Sequence, residues 1–263
     1  KKKTRAKVIT FGFGEGANVK ISNFEYLSSN GRPEGVCFKI HSDSTFVPFR
    51  MRGSLGRSQA YAAAVAAAVG VIFGMNLVQI SDALSNYNGP KGRLKILGGI
   101  KNSLIIDDTY NASPASTHLA LETLRGAGML MEEQGKKIRK IAVLGDMLEL
   151  GKHTIQAHRT VGDLVDGFVD ILVCVGSRAK FIADSARRSL GEGEQGGVKE
   201  RLYTFETADL AKKKVQELLK EGDLILVKGS QGMRMEKIVE EIMAEPQRKK
   251  ELLVRQGKKW LAK

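Results

Sequence analysis

Five short apolar runs, each followed by a helix-forming stretch, constrain this chain more than any other feature. They are SLIID (103–107), KIAVLGD (140–146), ILVCVG (171–176), RLYTF (201–205) and DLILVKG (223–229). Their hydrophobicity is continuous rather than alternating, and a strand that is apolar on both faces has to be covered on both faces. Helical segments are predicted near 114–126, 155–168, 178–190, 207–220 and 233–244. The pattern predicts an α/β unit: a mostly parallel sheet with helices on both faces.

The first 56 residues follow a different rule. AKVITFGF, NVKISNFEYLS, GVCFKIH and STFVPFRMRG are β-prone runs separated by Gly, Pro, Asn and Ser. A helix of small residues is predicted from Arg57 to Phe73, and a second one opening near Ser81. The breaker cluster NGPKGR (88–93) marks a boundary. The predicted division is therefore 1–91, a β-rich segment plus helices; 92–245, the α/β unit; and 246–263, a basic tail. The uncharged stretch Ser58–Ser81 is long enough to cross a bilayer. Its alanine content and the interruptions at Gln59, Gly70, Gly74 and Asn76 instead predict a packed core helix, without membrane insertion.

With 42% hydrophobic and 27% charged residues the chain is predicted to be globular rather than disordered. The net charge of +13 raises the question of nucleic acid. Much of the excess lies at the ends, in KKKTR and QRKKELLVRQGKKWLAK, and no aromatic residues alternate with the basic ones in between. Solvated termini and a bias toward anionic substrates are expected; nucleic-acid binding is a minor alternative. No apolar leader follows the basic N-terminus, and Cys37 and Cys174 share no ligand spacing, so a reducing cytoplasm is the predicted compartment. Oligomeric state is not legible.

Ligands of open parallel sheets bind at the carboxyl ends of strands, which directs attention to DDTYNASP (107–114), GDMLELG (145–151) and KGSQGMRME (228–236). In the first, Ser113 and Pro114 read as helix N-cap and first helical residue. That leaves Asp108 to accept ribose hydroxyls, and Tyr110 and Asn111 to line a nucleotide or a peptide. In the last, Lys228 and Ser230 before a helix suit a carboxylate or phosphate, although an ordinary glycine turn capped by Ser230 explains them too. Asp146 is the candidate substrate contact of the middle loop. His158 is read as core or surface, and His41, His118 and His153 have no ligand-like partners, so no metal site is predicted.

Two phosphate-loop look-alikes fail. GFGEGA (12–17) matches part of a dinucleotide fingerprint, but NVKISNFEY after it alternates like a strand where a helix is required. GDMLELGKHT has one residue too many before its second glycine, and His153 stands where a hydroxyl is needed. No GxxxxGK[ST] occurs in the chain.

GRLKIL, DDTYNASPAS, VLGDMLELG and KGSQGMRMEKIVEEI together resemble the Mur ligase family. The resemblance is strongest to the branch that joins D-alanyl-D-alanine to UDP-N-acetylmuramoyl-tripeptide. It implies that 92–245 is a Rossmann-like C-terminal domain and 1–91 the second half of a central ATP-binding domain. It also implies ATP and Mg2+ as cofactors, an acyl phosphate intermediate, and these two cell-wall precursors as partners. By motif position, Arg93, Asp108 and Asn111 would meet the nucleotide, and Tyr110, Asp146, Lys228 and Ser230 the substrate. The sequence departs from the family pattern in GRSQAYA, with Ser58 and Ala62 where His and Asn are common, and at Gln231, where Arg is common. Without a phosphate loop or magnesium ligands, these 263 residues are expected to be part of a longer enzyme or a fragment of one, inactive alone. A binding module derived from such a ligase is the alternative.

Overall fold

A computed structural model describes residues 5–133, 135–165, 167–189 and 201–261. Most of the KKKTR segment and the end of the helix predicted over 178–190 lie outside these. The chain divides into two compact units, Lys1–Gly89 and Pro90–Lys263.

The first unit is a four-stranded sheet of β1 (Phe11–Gly12), β2 (Val19–Ser29), β3 (Arg32–Ser42) and β4 (Thr45–Arg52), in that spatial order. β1 runs parallel to β2, and the rest is antiparallel. No helix follows GFGEGA; β2 does. Helix α1 (Arg57–Ile72) lays Ala60, Ala63, Ala64, Ala67 and Ala68 on the sheet beside Phe38 and Phe49, whose rings stack. Alanine leaves no bulk between helix and sheet, which permits close approach at little cost in side-chain entropy. The opposite face is uncovered: Val65, Val69 and Ile72 are exposed, and Phe73 is 81% exposed. The expected core helix is therefore packed on one side only. Helix α2 (Leu77–Ser85) begins four residues before Ser81, because Asn76 and Gln79 form a capping box there. No described helix is long and apolar enough to cross a membrane.

The second unit holds a six-stranded sheet. Its strands are β5 (Lys95–Gly98), β6 (Leu104–Asp108), β7 (Lys140–Gly145), β8 (Ile171–Val175), β9 (Leu202–Phe205) and β10 (Leu224–Lys228). The spatial order is β5-β6-β10-β7-β8-β9, with all neighbours parallel except β5, an antiparallel edge strand that the sequence pattern missed. Helices α3 (Pro114–Glu132), α4 (Thr154–Leu164), α5 (Lys180–Ser189), α6 (Ala208–Leu218) and α7 (Glu236–Ile242) connect and flank the strands. Every residue of β6, β7, β8 and β10 is buried, as continuous apolar runs require.

The last strand to form in sequence, β10, inserts between the first two parallel strands, β6 and β7. The strand order therefore reverses at the centre of the sheet, where open α/β folds bind ligands. Residues 246–261 are not a solvated tail. Leu253 sits in the core of this unit, Val254 is buried, and Arg255 reaches the loop after β6.

Candidate functional site

Register brings the first two site residues together. Lys228 ends β10 opposite Asp108, which ends β6, and their side chains form an ion pair at 2.6 Å with only 1% and 7% of each exposed. Two charges taken this far out of water need further partners. Lys228 Nζ also donates to the carbonyl of Asn111 at 2.9 Å, and the other oxygen of Asp108 accepts the Leu94 amide at 3.2 Å. Leu94 is delivered by the GRLKIL turn, where Gly92 has φ +65 and a side chain would meet the Tyr110 nitrogen at 2.9 Å. Only glycine suits that close approach.

Asp107, one residue earlier, points to the other face and is wholly buried. Its Oδ1 accepts from the amide and the hydroxyl of Thr109 at 3.1 and 2.6 Å, while Oδ2 has no partner. Burial pushes its carboxyl up to about 6; the Thr109 hydrogen bonds work against that rise, and Asp108 and Glu236 add to it.

Three loops are then stitched into one surface. Ser230 Oγ accepts the Leu148 amide at 2.8 Å and donates to the Ala112 carbonyl at 3.3 Å, joining the loops after β10, β7 and β6. Asn111 Oδ1 accepts from Ala112 and, at 3.4 Å, from the Gln231 amide. Asp146 Oδ1 accepts the amides of Arg178 and Ala179 at 3.0 and 2.6 Å, tying in the turn after β8. That turn passes so close that a side chain on Gly176 would strike the Asp146 carboxylate. His158 is buried on α4 and accepts the Met147 amide through Nε2 at 3.0 Å, with Nδ1 donating to Thr154 O at 2.7 Å. Burial lowers its pKa, which suits a ring that has to remain an acceptor.

Four of the seven predicted residues, Asp108, Asp146, Lys228 and Ser230, thus lie below the surface and bond internally. Arg93, Tyr110 and Asn111 are exposed above them. The Arg93 guanidinium lies 4.1 Å from the centre of the Tyr110 ring, a cation–π pair that presents charge, ring and amide side by side. Ser113 does cap α3, in a capping box with Ser116, and Pro114 opens the helix.

KGSQG does not run directly into a helix. A 3-10 turn at Gln231–Met233 and Arg234 in the left-handed region (φ 54) intervene, so the expected helix does not start directly after the glycine loop. Ser230 bonds the Leu148 amide instead of capping its own turn. Among the described residues no three His, Cys, Asp or Glu side chains are grouped to hold a metal.

The sequence pattern did not single out Glu236 or Arg255, whereas His158, read there as core or surface, is core. Glu236, buried on α7, is held between Arg234 at 2.6 Å and Arg255 at 3.1 Å. A glutamate at the end of KGSQGMRME is the available signal; the Arg255 link spans 19 residues and has none.

The sequence profile described as "Mur ligase, glutamate ligase domain" matches residues 92–231, more than half of the chain. The UDP-N-acetylmuramoyl-tripeptide–D-alanyl-D-alanine ligase of Bacillus subtilis is 32% identical over 220 residues, covering 81% of this chain and 43% of that protein. The Escherichia coli ligase of the same name is 31% identical over 185 residues, 70% of this chain and 36% of its own length. A crystal structure of MurF from Acinetobacter baumannii superposes with a TM-score of 0.67 at 27% identity, covering 88% of this chain and 45% of that one. MurF from Thermotoga maritima in complex with ADP shares the fold, with a TM-score of 0.69 at 21% identity, covering 89% of this chain and 47% of that one. The chain spans less than half the length of each of these relatives.

Proposed function

The chain belongs to the Mur ligase family, and from that premise we propose that it carries the acceptor side of an ATP-dependent ligation of D-alanyl-D-alanine to UDP-N-acetylmuramoyl-tripeptide. In such a reaction the γ-phosphoryl of ATP passes to a carboxylate, and the dipeptide amine then attacks the acyl phosphate, forming an amide and releasing phosphate. Magnesium offsets charge on the transferring group when bound; no cluster among the described residues supplies its ligands here.

One observation carries the reading. Arg93, Tyr110 and Asn111 stand exposed at the strand-order reversal, on a backbone fixed from below by buried ion pairs. Arg93 suits a phosphate or carboxylate through its planar fork. Asn111 offers an amide donor beside it, and Tyr110 a flat apolar face. Asp108, its two oxygens engaged by Lys228 and Leu94, serves as frame with Asp146, Lys228 and Ser230. The two free thiols, Cys37 and Cys174, fit a cytoplasmic setting.

The 263 residues contain no GxxxxGK[ST], so this chain alone binds ligand without turning ATP over. Titration calorimetry with D-alanyl-D-alanine, ADP and duplex DNA tests the reading. Heat with the dipeptide or ADP, and none with DNA, supports it; salt-sensitive DNA binding alone refutes it. ADP release dependent on D-alanyl-D-alanine by this chain would refute the claim of incompetence.

A further inference from the structure

The loop that carries Tyr110 and Asn111 leaves the sheet with three consecutive carbonyls, those of Thr109, Tyr110 and Asn111. Each is taken by a buried cation. Lys228 holds Asn111 O. Arg255 holds the other two: one terminal nitrogen donates to Thr109 O at 2.9 Å, and the second donates to Tyr110 O. Arg255 lies outside the segment that matches the family profile and 145 residues along the chain from Tyr110. Only 4% of its side chain is exposed.

The arginine is itself held. The nitrogen that binds Thr109 O also meets Glu236 at 3.1 Å, and the other oxygen of Glu236 is taken by Arg234 at 2.6 Å. Arg234 in turn donates to Trp260 O at 2.8 Å, and both guanidiniums lie against the Trp260 ring, at 5.4 and 5.7 Å from its centre. Leu253 anchors the segment in the core, and Val254 lies against the Gly92 backbone. Arg234 and Arg255 both have φ above +50°, a conformation that persists in such residues only where surrounding contacts fix it.

We propose that Arg255 is a positioning residue: the C-terminal segment acts as a latch whose guanidinium fixes the backbone of residues 109–110 and so aims Tyr110 and Asn111 outward. Arginine fits because one planar head reaches two carbonyls and a carboxylate together; lysine offers a single point charge. The importance of this aim for ligand rests on the function proposed above, whereas the fixing of the loop does not.

The experiment is amide hydrogen exchange on the whole chain and its Arg255→Met and Arg255→Lys variants, with D-alanyl-D-alanine affinity measured in parallel. The Tyr110 amide, bonded to Gly92 O at 3.0 Å, is the reporter. Arg255→Met is expected to exchange at 107–112 at least tenfold faster, with β7 and β8 unchanged, and to weaken dipeptide binding at least tenfold. Arg255→Lys is expected to fall between, and millimolar guanidinium is expected to restore protection to Arg255→Ala. Trp260, the one tryptophan of the chain, reports by fluorescence whether the segment stays docked. Loop exchange equal to the wild type in Arg255→Met overturns the proposal. Should that variant unfold, absence of guanidinium rescue in Arg255→Ala overturns it. Faster loop exchange in a chain that never binds the dipeptide upholds the latch and removes the functional reading.

Discussion

Lys228 and Asp108 face each other across neighbouring parallel strands at matched register, and their charged groups meet at 2.6 Å almost entirely out of water. The rest of the edge is built outward from this pair. Removing one partner strands a buried charge, at a cost of about 3–5 kcal/mol, whereas replacing both with apolar groups of similar volume is close to neutral. Lys228→Met and Asp108→Leu are each expected to lower the urea midpoint sharply, and the double variant to recover most of the loss. Additive losses in the double variant would show that the pair is not coupled.

Asp107 gives the fold an opposite response to pH from most carboxylates. Its folded value of about 6 lies above the ordinary 3.8, so its contribution to stability is full below 3.8 and is lost as pH rises through about 6. The difference corresponds to roughly 3 kcal/mol. Asp107→Asn keeps the Oδ1 acceptor for Thr109 and removes the charge. The variant is expected to melt higher than the wild type at pH 7.5 and no higher at pH 4; equal differences at both pH values would contradict this.

His158 titrates with the reverse sign. Its folded value is lowered by burial, partly offset by the Thr154 carbonyl and Asp146, with Arg178 lowering it further. The stability it confers is full above 6.5 and drains away as pH falls below that. Protonation converts Nε2 from acceptor to donor and repels the Met147 amide, a loss on the order of 1 kcal/mol. Protection of the Met147 amide, its exchange relative to an unstructured chain at the same pH, should fall as pH drops below 6.5 in the wild type. His158→Gln, whose carbonyl can replace Nε2, should remove that pH-dependent loss of protection.

Ser230 joins three loops through one hydroxyl. Ser230→Ala leaves the Leu148 amide without its acceptor, which costs about 1–3 kcal/mol. A lower urea midpoint with faster exchange at Leu148 is expected, without change in β8 or β9. Exchange confined to residues other than Leu148 and Ala112 would show that the stitch is dispensable.

Strands β6, β7, β8 and β10 were legible because burial on both faces leaves a continuous apolar signature, while the partly exposed edge strand β9 was legible from its run of Leu202, Tyr203 and Phe205. β5 was not: KILG is short, partly exposed, and identifiable as a strand only through its pairing with Leu104–Asp107. The loops holding the site were also legible, since polar, glycine-bearing connectors stand out after apolar strands. Which of their side chains face solvent was not. Lys228 and Ser230 read as ligand contacts by type, but the insertion of β10 between β6 and β7 seals them inward, and strand order leaves no local mark. The docking of Arg255 was illegible for the same reason: a basic C-terminal run looks like a solvated one until the buried Glu236 that receives it is located.

The account depends most on where ligand binds. A crystal structure of this chain grown with D-alanyl-D-alanine and ADP measures that directly. The account predicts ligand atoms within hydrogen-bonding distance of Arg93 or Asn111 and against the Tyr110 ring, with Asp108 and Lys228 still paired. Ligand bound elsewhere, or an Asp108–Lys228 pair opened to receive it, would contradict the account.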